Sequence, residues 1–155
     1  MSQYDVVVIG ASAAGLTAAI TARRHYPEKS ICVVRKEELV PIPCGIPYSF
    51  GIVGAPDKNL IPAEAALKKN GIDAIVGEVE SIDPEKKSVG ITGKETLTYN
   101  RLVVATGSIP IVPPIPGSEK KNIFTIVKDV PYLDTIVEAM KTARSLCIVG
   151  CGFIG

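Results

Sequence analysis

The most constraining feature of the sequence is a strand–turn–helix–strand pattern near its start. Residues 6–9 form an unbroken β-branched run, followed at once by a small-residue turn at residues 10–15 and by a helical pattern over residues 16–26. A second apolar run rich in β-branched residues follows at residues 31–34. Such runs predict strands buried on both faces of a parallel sheet, and the order is typical of a βαβ unit. We therefore predict an α/β fold built on a parallel sheet.

The composition supports a buried core and argues against several kinds of partner. Of the 155 residues, 46% are hydrophobic and 21% are charged, as in globular proteins. The 17 basic residues nearly balance the 16 acidic ones, so charge gives no case for binding nucleic acid or an anionic membrane. The longest apolar runs are too short to span a bilayer, and no signal peptide is recognisable at the N-terminus. We predict a cytoplasmic protein whose four cysteines are free thiols.

The rest of the chain alternates between predicted elements and proline-rich segments. In chain order we predict an ordered functional loop at residues 41–62, a helix at 63–69, strands of an antiparallel insert at 72–82 and 88–99, a buried strand at 102–105, a linker at 108–117, a helix at 130–143 and a buried strand at 146–149. The predicted domains are residues 1–110, then a linker and helix at 111–145, then the truncated start of a second domain at 146–155.

The turn at residues 10–15 lies where a dinucleotide fingerprint is expected, between a strand and a helix. The first glycine allows a tight turn, the last lets helix and strand approach, and the amides at the helix start face a pyrophosphate. The middle glycine of the fingerprint is replaced by Ser12. A tight turn without a ligand is the alternative interpretation. The predicted cofactor-binding residues of a Rossmann-like first domain are Gly10, Ala11, Ser12, Ala13, Ala14 and Gly15.

The end of the second strand carries an unexpected charge for such a site. An acidic residue is expected there to bind the ribose, but Arg35 and Lys36 occupy the position and Glu37 follows. Arg35 could hold a phosphate or stack on adenine, and Glu37 could reach the ribose. The alternative is a solvated charge cluster at a strand end.

A second glycine fingerprint directly follows the run at residues 146–149. It has all three glycines, Gly150, Gly152 and Gly155, in the pattern G-x-G-x-x-G. Two fingerprints, each after a predicted buried strand, are more specific than one. They predict two nucleotide domains, one for a flavin dinucleotide and one for a nicotinamide dinucleotide.

One cysteine stands in a segment of its own, Pro-Cys-Gly-Ile-Pro-Tyr at residues 43–48. If a helix starts after Cys44, its dipole stabilises the thiolate, which can then attack a disulfide or persulfide. A buried structural cysteine is the alternative. Cys32 and Cys147 lie in predicted buried strands, where free cysteine packs as a small hydrophobe. No metal site is predicted, because zinc needs three or four convergent ligands.

Taken in order, these segments resemble the one-cysteine branch of the pyridine nucleotide–disulfide oxidoreductases. The resemblance rests on the first fingerprint, residues 43–48, the stretch at residues 102–110 and the second fingerprint. The branch includes coenzyme A-disulfide reductases, NADH oxidases, NADH peroxidases and persulfide reductases. The resemblance implies an FAD-dependent, NAD(P)H-consuming enzyme with Cys44 as its redox cysteine. It adds Pro43, Val79, Ala105, Thr106 and Gly107 to the FAD site. The alternatives are an NADH oxidase and a non-catalytic dinucleotide-binding module.

The differences from that branch narrow the expected substrate. Oxidases and peroxidases of this type carry a histidine in the first turn, where this chain has Ala13, and its one histidine, His25, lies near the helix end. Coenzyme A-disulfide reductases lack that histidine and bind coenzyme A with polar and basic residues of the first helix, which here implies Thr21, Arg23 and Arg24. A solvated helix end is the alternative. The resemblance further implies the N-terminal part of a longer homodimeric enzyme, without full turnover by itself.

Overall fold

Six strands and four helices make up the regular structure of the part of the chain that is described. A computed structural model describes residues 2–150 and 152. The strands are β1 (Ser2–Ile9), β2 (Ile31–Arg35), β3 (Asp73–Val76), β4 (Val79–Asp83), β5 (Ser88–Ile91) and β6 (Leu97–Val104). The helices are α1 (Ala13–His25), α2 (Ile46–Ser49), α3 (Ala63–Lys69) and α4 (Val130–Thr142), with short 3-10 turns at Pro43–Gly45 and Pro56–Lys58.

All six strands belong to one sheet, in the order β3-β2-β1-β6-β5-β4. The first four are mutually parallel: β1 pairs with β2 on one side and with β6 on the other, and β2 pairs with β3. β5 runs antiparallel to β6, and β4 runs antiparallel to β5. The predicted α/β fold, with a parallel sheet and an antiparallel insert, is confirmed.

The chain divides into two compact units. The first consists of the chain up to Val40 together with Pro62–Gly107 and contains the whole sheet, α1 and α3. The second consists of Pro41–Ile61 and the chain from Ser108 onward, and it contains α2 and α4. The domain limits at residues 110 and 145 remain a prediction.

The first unit is held together by the apolar side chains of its strands. Alternate residues of a strand face the same side of a sheet, and one such cluster is buried: Val7, Ile9, Cys32, Val34, Val89, Ile91, Leu97 and Tyr99. Burial raises the pKa of the Cys32 thiol to about 12. Cys32 is therefore a packed, unreactive thiol, as its place in an apolar strand predicts.

The second unit is organised by α4, which matches the helix predicted at residues 130–143. The Asp129 carboxylate accepts a hydrogen bond from the backbone N–H of Tyr132 at 2.8 Å and so caps the helix. On the buried side, Leu133 and Ile136 pack with Ile46 of α2. The helix and the segment that carries Cys44 thus share a core.

Several element boundaries differ from those predicted. α1 begins at Ala13 rather than at residue 16, because the alanines of the turn are themselves good helix formers. The single strand expected at residues 72–82 breaks around Gly77, where a Cβ would crowd Ile91. The strand expected at residues 102–105 is the end of the longer β6, and its Val104 is 58% exposed rather than buried.

The buried strand predicted at residues 146–149 is wrong. These residues are exposed and pair with no strand in the described part of the chain. An apolar run has strand propensity, but a strand forms only where a neighbouring strand satisfies its backbone. Cys147 is accordingly exposed and not a core residue.

Candidate functional site

The candidate site of the first unit lies at the carboxyl ends of three adjacent strands. β1 stands between β2 and β6, so its C-terminal turn is flanked by the residues that follow both neighbours. On one side of β1 the sheet continues with β2 and β3, and on the other side with β6, so the connections leave β1 in opposite directions across the sheet. In open α/β sheets, ligands bind outside the carboxyl ends of strands at such a point.

Two glycines let the turn after β1 close against the turn after β6. Gly10 has a φ of 107°, a conformation that favours glycine. A Cβ at Gly10 would lie closer than 3.0 Å to the backbone of Ala105, and one at Gly15 would lie equally close to the carbonyl of Gly10. Ala105 N–H donates to the Ile9 carbonyl at 2.8 Å. The two sequence segments assigned to one cofactor are thus in direct contact.

The start of α1 offers free hydrogen-bond donors at this turn. Ser12 is the N-cap residue, but its side chain makes no capping bond, and the first turn contains no acidic residue. The first helical bond runs from Leu16 N–H to the Ser12 carbonyl at 2.9 Å, so the preceding amides have no acceptor within the helix. Free amides beside a turn in which two glycines allow close backbone approach fit the diphosphate of a dinucleotide.

The residues after β6 continue the same edge of the sheet. Ala105 is half-buried against the first turn, while Thr106 and Gly107 are exposed. Gly107 has a φ of 72°, which redirects the chain at the end of the first unit. The assignment of these residues to the cofactor remains a prediction that their proximity to Gly10 supports.

Arg35 is not the free cation that the sequence suggests. Its side chain is only 7% exposed, and it donates to the Glu64 carboxylate at 2.6 Å. It also donates to the backbone carbonyls of Glu37 and Glu38. A phosphate contact through these N–H groups would require the existing bonds to be exchanged.

The neighbouring predicted contacts lie on the surface or at the sheet edge. Lys36 forms a 2.8 Å ion pair with Glu78, and both side chains are mostly exposed. Val79, at the start of β4, packs partly buried against the sheet core. The assignment of Lys36, Glu37 and Val79 to the nucleotide remains a prediction.

In the second unit, Cys44 lies on the surface. It is exposed within the 3-10 turn Pro43–Gly45, directly before α2. The alternative of a buried structural cysteine is therefore wrong. The helix expected after it exists, but α2 is a single turn, Ile46–Ser49.

The cysteine turn is held by Asn59, a residue that the sequence analysis missed. Asn59 is 7% exposed, and its Nδ2 donates to the Ile42 carbonyl at 2.9 Å. The backbone carbonyl of Asn59 accepts a hydrogen bond from Ile42 N–H at 2.9 Å. Gly45 N–H donates to the Ile42 backbone carbonyl at 3.0 Å. A Cβ at Gly45 would collide with the Asn59 amide. Asn59 is thereby bonded to Ile42, before Cys44, and lies close against Gly45, after it.

Asn59→Ala is expected to destabilise the chain by about 0.5–1.5 kcal/mol, because it removes one of the two hydrogen bonds that the half-buried Ile42 carbonyl accepts. The loop at residues 41–61 should become the preferred site of limited proteolysis. Asn70→Ala is the matched control, since the Asn70 amide also donates to a backbone carbonyl, at 2.8 Å, but in the first unit. Equal protection of the loop in both variants would contradict the role of Asn59.

The polar residues proposed on α1 differ in their availability. Thr21 and Arg24 are exposed, as is His25. Arg23 instead is engaged by the protein itself, donating to the backbone carbonyls of Pro27, Lys29 and Gly71 at 2.7–2.8 Å. It ties the end of α1 to the loop before β3, so a substrate contact through these N–H groups would require the existing bonds to be exchanged.

The second fingerprint is only partly within the described residues. Gly150 has a φ of 106°, close to the 107° of Gly10. A Cβ at Gly150 or Gly152 would meet nothing within 4 Å. Cys151 and Gly155 lie outside the described residues. The nicotinamide site remains a prediction.

Neither a metal site nor a membrane-spanning helix is found within residues 2–150 and 152. No three His, Cys, Asp or Glu side chains there are grouped so that they could hold a metal ion. None of the helices in that part is long and apolar enough to cross a bilayer.

The parallel sheet, the glycine turn and the free helix-start amides define a Rossmann-type dinucleotide-binding fold. The family model for pyridine nucleotide-disulphide oxidoreductases matches residues 4–155, and the chain belongs to this family. Members of the family use FAD and NAD(P)H.

The individual relatives are named as redox enzymes. It is 36% identical to the NAD(P)H coenzyme A polysulfide/persulfide reductase of Pyrococcus horikoshii and 34% identical to an NADH oxidase of Enterococcus faecalis, each over 97% of this chain. The structure of an NAD-dependent persulfide reductase from A. fulgidus matches with a TM-score of 0.77 and 36% identity, covering 88% of this chain and 27% of that one. The chain spans 35% of the length of the Pyrococcus reductase and of the Enterococcus oxidase.

Proposed function

We propose that the first unit binds FAD and that the protein is an NAD(P)H-dependent oxidoreductase acting on a disulfide or persulfide through Cys44. The observation that carries the FAD site is the contact of Gly10 with both Gly15 and Ala105, which leaves no room for a Cβ. Beside it, the amides at the start of α1 have no acceptor within the helix and are suited to bind a diphosphate. When bound, FAD supplies the two-electron chemistry that links NAD(P)H to sulfur.

The exposure of Cys44 and the chemistry of thiolates support the role proposed for it. Its thiolate attacks one sulfur of the substrate disulfide, forming a mixed disulfide and releasing the other sulfur as a thiolate. Two electrons and a proton then cleave the mixed disulfide, regenerating the Cys44 thiolate and releasing the second thiol. The loop held by Asn59 keeps the sulfur in one place during both steps.

We propose a coenzyme A-type substrate within this class. The basis is the similarity to reductases named for coenzyme A persulfides, together with exposed Thr21 and Arg24 on α1. Arg24 offers a cation to a nucleotide phosphate. We also propose that the enzyme is cytoplasmic and acts as a homodimer.

An NADH oxidase is the second candidate, because relatives with that name are 34% and 31% identical to this chain. The two activities differ in the acceptor. An oxidase consumes oxygen in proportion to NADH without a sulfur compound, whereas a reductase needs the disulfide. Parallel assays of oxygen uptake and thiol release, on a protein of the length of its relatives, separate them.

The FAD site can be tested on the chain itself. Titration with FAD should give saturable binding, with the visible absorption of a protein-bound flavin and with competition by ADP. Binding of neither FAD nor ADP would contradict the proposed site.

A further inference from the structure

The expected ribose ligand is missing from its usual position. In dinucleotide folds, an acidic side chain about 20 residues beyond the glycine turn accepts hydrogen bonds from the ribose. Here Arg35 ends β2, and the preceding Val34 carbonyl accepts from Gly10 N–H at 2.7 Å. The residue beside the turn is therefore a cation, which cannot accept a hydrogen bond.

Arg35 brings another carboxylate to this position. Its guanidinium binds Glu64 Oε2 at 2.6 Å, and the side chains are 7% and 68% exposed respectively. Glu64 belongs to α3, which packs beside β3, and β3 pairs with β2 through Val76 and Arg35. The acid is thus presented by a different part of the chain, at the same edge of the sheet.

The Arg35–Glu64 ion pair leaves some of its polar atoms without hydrogen-bond partners among the described residues. Arg35 Nε is buried and has no hydrogen-bond partner in the described chain. Glu64 Oε1 likewise accepts no hydrogen bond from the described residues, although its carboxylate is fixed by Arg35 and largely exposed. A carboxylate fixed on one oxygen and open on the other is suited to accept hydroxyl groups.

We propose that Glu64, held by Arg35, is the carboxylate that binds the adenosine ribose of the dinucleotide. Arg35 is then a positioning residue and not a phosphate ligand. The inference rests on the proposed FAD site and identifies its ribose ligand. Glu37 is the competing candidate, since it is exposed and directly follows β2.

The experiment measures the binding of ADP and 2′-deoxy-ADP by calorimetry at one salt concentration. The unmodified chain should bind ADP about tenfold more tightly, the effect of one hydrogen bond to a charged group. Glu64→Gln should remove most of this preference while leaving the affinity for 2′-deoxy-ADP nearly unchanged. Glu37→Gln, the matched control, should retain it.

Each other outcome overturns the proposal. Loss of preference in Glu37→Gln alone would assign the ribose to Glu37. An equal loss of affinity for both nucleotides in Glu64→Gln would mean that Glu64 only supports the fold, which a melting curve of each variant checks. Binding of ADP without any preference would contradict the ribose contact but leave the FAD site intact. Binding of no nucleotide at all would contradict both.

Discussion

Gly15→Ala is expected to destabilise the folded chain by about 3 kcal/mol and to abolish flavin binding. Alanine is the better helix former by about 1 kcal/mol, so propensity alone predicts a gain. The added Cβ would, however, overlap the Gly10 carbonyl, which is backbone and cannot rotate away. Overpacking of this kind costs about 1–3 kcal/mol, and the collision with backbone puts this site at the upper end. Urea unfolding of both proteins measures the difference.

Gly51→Ala provides the control for Gly15→Ala. Gly51 is exposed, and a Cβ there would meet nothing within 4 Å. The free energy of unfolding of the Gly51→Ala protein should differ from that of the unmodified chain by less than about 0.5 kcal/mol. A Gly15→Ala protein as stable as the Gly51→Ala protein would show that helix and sheet do not approach as closely as described.

Cys44→Ser is expected to lower NAD(P)H-driven disulfide reduction by roughly 100-fold or more, since a hydroxyl cannot form the mixed disulfide. The assay is thiol release from coenzyme A disulfide by a protein of the length of its relatives. FAD binding should be unchanged, which separates loss of the nucleophile from loss of the cofactor.

Cys147→Ser is the matched control for the cysteine variant. Cys147 is, like Cys44, an exposed free thiol of the second unit. It should retain full activity. Wild-type turnover by Cys44→Ser would exclude Cys44 as the nucleophile, and an equal loss in both variants would point to a general requirement for thiols.

The parts of the fold that follow from local pattern were predictable from sequence. The strand at residues 31–34 follows from its own apolar run, and the packing of Gly15 against the Gly10 carbonyl involves residues only five positions apart; the structure has both as expected. The strand prediction for the apolar run at residues 146–149 was wrong for the opposite reason. Its strand propensity is local, but the pairing that a strand needs is not.

The parts of the site that were missed depend on distant contacts. Asn59 looks like an ordinary loop residue in a proline-rich segment, and its bond to Ile42 spans 17 positions. The charge of Arg35 is visible in the sequence, but its commitment to Glu64, 29 positions away, is not. Only the fold shows which cations are available to a ligand.

The pairing of β1 with β6 has a consequence for how the first unit is assembled. Val6 lies opposite Arg101, so these adjacent strands are joined by most of the unit's chain. Such non-local pairs form late and slow folding. During synthesis, the glycine turn emerges long before Ala105, the residue against which it closes. A nascent chain can complete the turn only after β6 has docked, and nucleotide capture there would then report that the whole sheet has formed.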